Sequence, residues 1–180
     1  MQAAEGCIKQ TKLVSSRRML KSGSPKSLWD HCIELEALIR SHTTLDIYGL
    51  EGQVPETVMS GQTGDISSLC EFEWFEWVMF IQPKETYSDD KMFIGRWLGP
   101  AITVGTAMTY KILRPDGGYV CRSTLRYWTS NEEANSFRMA ERVSFMKQLN
   151  SCIGYAAKLS DFPLNDLTPE FEYYEDDGED

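Results

Sequence analysis

The segment from Phe72 to Ile81 constrains the fold more than any other part of the chain. It holds Trp74, Phe75, Trp77, Val78, Met79 and Phe80 almost without interruption. A strand with one wet face alternates apolar and polar residues, so a run that is apolar at successive positions needs cover on both faces. The run therefore predicts a strand inside a layered domain. Glu76 interrupts it, which reads as a bulge or an edge. The chain is long enough to supply that cover: 180 residues, 42% hydrophobic and 25% charged, make one domain or two small ones and exclude wholesale disorder.

More strands follow. Lys91 to Leu98 is a second candidate. Met108, Tyr110 and Ile112 alternate with Thr109 and Lys111, which predicts a third with one buried face. Asp116-Gly117-Gly118 is a hairpin turn signal, and Tyr119 to Leu125 is the returning strand. Several short strands within one stretch predict a small curled sheet or barrel, with Trp128 at one end.

Helices flank this unit. Ala4, Cys7, Ile8, Thr11 and Val14 recur at helical steps and predict a helix over 3–21, closed by Gly23. Ser24 and Pro25 read as the N-cap and first position of a second helix that ends near His42. Its apolar stripe is Leu28, Cys32, Leu35 and Ile39, widened by Trp29 and Ile33. Residues 43–70 form a glycine-punctuated connector in which Pro55 could start one helical turn. Ser130 and Glu133 match a capping box for a helix over 131–150, with Ala134, Phe137, Ala140 and Val143 inward. Beyond Leu159 the chain is acidic and proline-punctuated, which predicts disorder. The predicted class is α+β: an N-terminal helical hairpin, a small antiparallel β-barrel, a C-terminal helix and a disordered acidic tail.

The formal net charge of -9 conceals a polarity. Lys9, Lys12, Arg17, Arg18, Lys21 and Lys26 face only Glu5 in the first 27 residues. Residues 161–180 carry nine acids and no base. A basic start can contact phosphate, and an acidic end is usually a solvated tail. The five cysteines are widely spaced, with no C-x-x-C, and the two histidines do not pair with them into a zinc pattern. They read as buried apolar groups in a reducing compartment, cytoplasmic or nuclear. No apolar run is long enough to span a bilayer, so no membrane partner is expected.

The order of motifs carries a resemblance. Met1-Gln-Ala-Ala-Glu5 is similar to a segment ending N-G-V-A-E-R, Ser24-Pro25-Lys-Ser-Leu-Trp29 to L-P-x-x-x-W, and Val54-Pro55-Glu56 through Gly61 to T-P-x-E-x-x-x-G. Lys91-Met-Phe-Ile-Gly95-Arg96 resembles a K-x-x-F-L-G-Y strand, and Ile112 through Gly118 a hairpin with a D-P-x-T-G turn. In this order they resemble the copia-type retrotransposon Pol polyprotein, from the end of the integrase catalytic core through the small Src-homology-like barrel after it. Gly6 and Val54 depart from the family pattern, which has a basic residue and a threonine there.

The resemblance implies an organisation. Residues 1–45 would be helices from the end of a ribonuclease-H-like core, 46–70 a connector, 71–128 the barrel, 129–153 a helix and 154–180 the acidic disordered tail. It also implies chemistry. Family integrases hold two magnesium ions with two aspartates and a glutamate, hard oxygen ligands that stabilise the oxygens of phosphoryl transfer. Glu5 would be the third carboxylate. Only four residues precede it here, so it is expected to be orphaned, with no metal or cofactor held by this chain alone and no catalysis. The expected function is that of a non-catalytic Pol fragment that contacts DNA through Lys9, Lys12, Arg17 and Arg18, its other partner being the rest of the polyprotein. A small protein-interaction module repurposed from such an element is the alternative. For Glu5 the residues alone favour a plain helix-start acid, and for the basic residues a solubilising face. Trp74, Trp77 and Trp97 are candidate stacking platforms, but residues of this kind are more often core, and core is the favoured reading. Lys91, Arg96, Lys111, Arg114 and Arg122 are candidates for a basic barrel edge, interspersed with Asp89, Asp90 and Asp116.

Overall fold

A computed structural model describes residues 2–44, 50, 52–82, 92–104 and 108–162. Lys91, Asp89, Asp90 and most of the expected disordered tail lie outside the described residues. The class is α+β, as the sequence pattern predicts. Helix α1 spans Gln2–Ser22 and α2 spans Trp29–Ser41, separated by Gly23 at φ +66° and a 3-10 turn over Lys26–Leu28. Two short helices, α3 (Pro55–Ser60) and α4 (Ser67–Cys70), occupy the connector. Pro55 stands at the start of α3, as expected for a residue without a backbone N–H.

The strands are β1 (Trp77–Ile81), β2 (Met92–Pro100), β3 (Tyr110–Leu113), β4 (Tyr119–Arg122) and β5 (Leu125–Arg126). All neighbours are antiparallel and the order is β4-β3-β2-β1-β5. The sheet is thus a meander whose last strand returns to the first. Val78, Met79 and Phe80 are buried in succession, so β1 is covered on both faces. The β3–β4 hairpin turns at Asp116-Gly117-Gly118, where the Arg114 N–H donates to Gly118 O at 2.8 Å.

The strand begins later than the apolar run. Phe72 to Glu76 forms bends and turns, with Phe75 at φ +62°. Glu76 explains the break: its carboxylate accepts the Glu73 backbone N–H at 2.7 Å. The polar residue closes a turn that redirects the chain into β1. A bulge between Trp97 and Gly99 bends β2 in the same region, with Gly99 at φ +125° against Leu35 of α2.

Helix α5 (Ser130–Ala134) and helix α6 (Ser136–Ile153) complete the order. The expected single helix is broken at Asn135, whose side chain accepts from the backbone N–H groups of Phe137 and Arg138. The capping box falls one residue earlier than expected, at Thr129 and Glu132. The inward residues of α6 are Phe145 and Leu149, whereas Phe137 and Val143 are about 70% exposed and Ala134 and Ala140 also face water.

One core joins these layers. Met19, Leu28, Cys32 and Leu35 of the helical hairpin meet Trp97, Tyr110 and Ile112 of the sheet, and Phe145 and Leu149 close the cluster. The stripe expected for α1 is displaced: Leu13, Ser15, Ser16 and Met19 are buried, while Ala4 and Ile8 are exposed. Trp29 is likewise exposed rather than part of the α2 stripe. Ser24 does not cap a helix; it is buried, and its hydroxyl accepts the Trp74 indole N–H at 3.0 Å. A bridge between Pro25 and Ala156 and a bond from the Ala157 N–H to Ser24 O tie the end of α6 to the hairpin. Among the described residues no helix is long and apolar enough to cross a membrane.

Candidate anion-binding cleft

Between the β1–β2 pair and α6 lies an open cleft of about 540 Å³. Its lining includes Trp77, Arg96, Arg142, Lys147, Asn150 and Tyr155, and among the described residues no carboxylate. The chain positions its two arginines by different means. Arg96 sits in β2, opposite Trp77 of β1. Its guanidinium carbon lies 3.6 Å from the Trp77 ring centroid and 4.4 Å from that of Phe75. One terminal nitrogen donates to Phe75 O at 2.7 Å, and the other contacts the Met146 sulfur at 3.6 Å. The positive φ of Phe75 therefore serves the cleft, since that residue supplies Arg96 with both a ring and an acceptor.

Arg142 enters from α6. Its guanidinium lies 4.1 Å from the Trp128 ring and 5.4 Å from the Trp77 ring. Its nearest acid is Glu133, 3.6 Å away on the exposed rim. The Nε atoms of Arg96 and Arg142 are buried and meet no acceptor among the described residues, nor does the buried Asn150 Oδ1 have a donor. Lys147 is exposed and stands one turn from Val143 on the same helix.

Burial, and secondarily the neighbouring Arg142 charge, push the Arg96 guanidinium down to about 9. It keeps its charge at neutral pH. Aromatic faces stabilise each buried cation by about 0.5–2 kcal/mol but supply no negative charge. Two neighbouring guanidiniums with one carboxylate between them, Glu133 on Arg142, leave positive charge that an anion can meet.

The residues singled out by sequence fall elsewhere. Glu5 is exposed on α1, and no group of three His, Cys, Asp or Glu side chains gathers among the described residues. Lys12 and Arg17 are exposed and Lys9 is half-buried. Lys9 and Arg18 lie nine residues apart, roughly opposite one another around the helix at about 100° per residue, so the four basic residues do not share one face. Arg18 is turned inward to Glu36, with Nη2 at 2.9 Å from the carboxylate. The expected basic barrel edge is also divided. Lys111 is buried and bonds both Glu34 oxygens at 2.7 Å, and Arg114 pairs with Asp116 at 2.7 Å. Arg122 donates to Cys121 O. Trp74 and Trp97 are core residues, and Trp77 alone of the three candidate platforms meets the cleft. Arg142 carried no signal in the sequence, because its partner ring stands on a distant strand. No protein-family model, curated protein or solved structure matches the chain.

Proposed function

We propose that this chain is a non-catalytic binding module descended from the integrase region of a copia-type retrotransposon Pol polyprotein, and that it contacts nucleic acid through the arginine cleft. One observation carries the contact: Arg96 and Arg142 share the Trp77 ring in a cleft whose lining, among the described residues, has no acid. Lys147 adds a third cation at the same opening. Lys12 and Arg17 on α1 are second, outlying phosphate contacts in this reading, and Lys9 stands with them. Arg18 acts there only by holding α1 in place. Glu5 descends from the third metal carboxylate of the integrase core and carries no metal role here. Five unpaired cysteines support a reducing compartment, cytosol or nucleus.

The test is fluorescence anisotropy with a labelled single strand across a salt series. Binding is expected to weaken linearly on logarithmic axes, by about 0.7 per phosphate neutralised. The Arg142→Ala, Lys147→Ala variant should lower that slope by about 1–2. Absence of binding at low salt by a folded protein would overturn the reading. Exposed Phe137, Met139 and Val143 on α6 favour the protein-interaction alternative. Self-association, or recovery of a stable complex through those three residues, would support it.

A further inference from the structure

We propose that the Arg96–Arg142 cleft is a receptor for one terminal phosphate monoester of a nucleic-acid strand, in preference to the internal diesters. This rests on the nucleic-acid reading above and specifies the ligand of that site.

The first argument is convergence. Both guanidiniums address one ring, at 3.6 and 5.4 Å from the Trp77 centroid, so their charge is focused at one place rather than spread along a track. Lys147 borders the same opening. A monoester carries a charge of about -1.5 to -2 and three free oxygens, whereas a diester carries one charge and two free oxygens. Three cations around one cavity match the first ligand better.

The second argument is the surrounding charge. Glu133 stands 3.6 Å from Arg142, so an acid borders the cations on one side. A strand threading past Arg142 would bring a neighbouring phosphate toward Glu133. A strand end leaves its remaining phosphates directed outward, where screening is effective. The geometry at the rim suits an end as well. Tyr155 is 78% exposed there and offers a free face to the terminal base, while the Trp77 face is already taken by Arg96. The Nε groups of both arginines are buried with no acceptor among the described residues, so an anion is met first by the exposed Lys147 and the partly exposed Arg142 side chain.

The experiment uses the full chain and one short single strand in three forms: 5′-phosphate, 3′-phosphate and both ends hydroxyl. Anisotropy is read at low and near-physiological salt, with a phosphotyrosine peptide as a competing probe. A phosphorylated end is expected to bind roughly tenfold tighter than the hydroxyl form, as a charge-assisted contact gives. Arg142→Ala should remove that difference and also weaken binding of the hydroxyl form. Lys147→Ala, at an exposed position, should reduce it in a protein whose fold is undisturbed. Quenching of Trp77 and Trp128 fluorescence should accompany only the phosphorylated strands. Equal affinity for all three forms would overturn the inference and leave the nucleic-acid reading standing. Binding of none of them at low salt would overturn both. Stronger competition by the peptide than by the phosphorylated strand would assign the cleft to a protein partner and overturn it as well.

Discussion

The Arg18 guanidinium of α1 meets the Glu36 carboxylate of α2 at 2.9 Å, where Glu36 is almost fully buried. Two bonds from Nε and Nη2 converge on one carboxylate oxygen. Removing Arg18 leaves that carboxylate buried and unpaired. Arg18→Ala is therefore expected to lower stability by roughly 3 kcal/mol, the low end for a broken buried pair because the arginine is itself partly exposed. Replacing both residues by methionine should cost less than the two single changes together. Urea unfolding of the three variants measures this. An Arg18→Ala midpoint equal to wild type would show that the pair does not hold α1 on α2.

Cys32 sits one turn before Glu36 and contacts Ser15 O at 3.6 Å. Burial pushes its thiol up to about 12, partly offset by the Arg18 charge. Its thiolate is thus scarce at pH 8, and its sulfur is inaccessible. Cys70 and Cys152 are exposed. In a thiol-reagent assay at pH 8, those two should react first, and Cys32 only as the protein unfolds. Rapid labelling of Cys32 in the native protein would mean that the α1–α2 contact opens readily.

These two residues also show what sequence could and could not tell. The periodicity of α2 points to Leu28, Cys32, Leu35 and Ile39; the first three are buried and Ile39 is partly buried against the same core, because a stripe packed on a sheet must be apolar along its length. The stripe of α1 was misplaced. Ser15 and Ser16 are buried there with Leu13 and Met19, and small polar side chains in a stripe are invisible to a hydrophobic pattern. In α6 the first two turns stand off the sheet across an open cleft lined by Phe80, Phe93, Ile94 and Phe137, so Phe137 and Val143 stay largely exposed. The central strand was legible from its aromatic run, but not its start, which Glu76 sets through a turn hydrogen bond. Arg96 was visible as a basic strand residue. The cleft was not, because it exists only where α6 returns to β1 and places Arg142 beside Trp77.

Gly95 of β2 is the tightest point of the sheet. A Cβ there would overlap the Ile112 side chain and lie 3.0 Å from Leu113 O and 3.2 Å from the Phe80 ring. One of these neighbours is backbone, which cannot rotate away. Gly95→Ala is expected to destabilise by about 1–3 kcal/mol, as overpacking does. Adding Ile112→Val should recover part of the loss by removing a methyl group. Thermal unfolding of both variants checks it. A Gly95→Ala protein with an unchanged midpoint would contradict the packing described.

Glu132 links the last strand to the C-terminal helices. Its carboxylate takes two bonds from Arg126, at 2.7 and 2.6 Å, and closes the capping box with Thr129. The Arg126 bonds, followed by the Thr129 backbone N–H, hold its carboxyl well below the usual carboxylate range. In the unfolded chain the same group titrates near about 4.3. A depressed folded value means that the contact stabilises fully above that unfolded value. Its contribution then falls as pH drops below it, because the unfolded state binds the proton first. The pair is partly exposed, so solvent screening keeps the effect modest. Glu132→Gln is expected to cost about 1 kcal/mol at pH 7, the magnitude of a lost cap. Between pH 7 and pH 3 the gap between wild type and variant should narrow, with most of the change below the unfolded value. Urea midpoints of the two proteins at both pH values measure that gap. If it stays constant, the stabilisation at this junction comes from neutral hydrogen bonding, and the carboxylate charge contributes nothing to it.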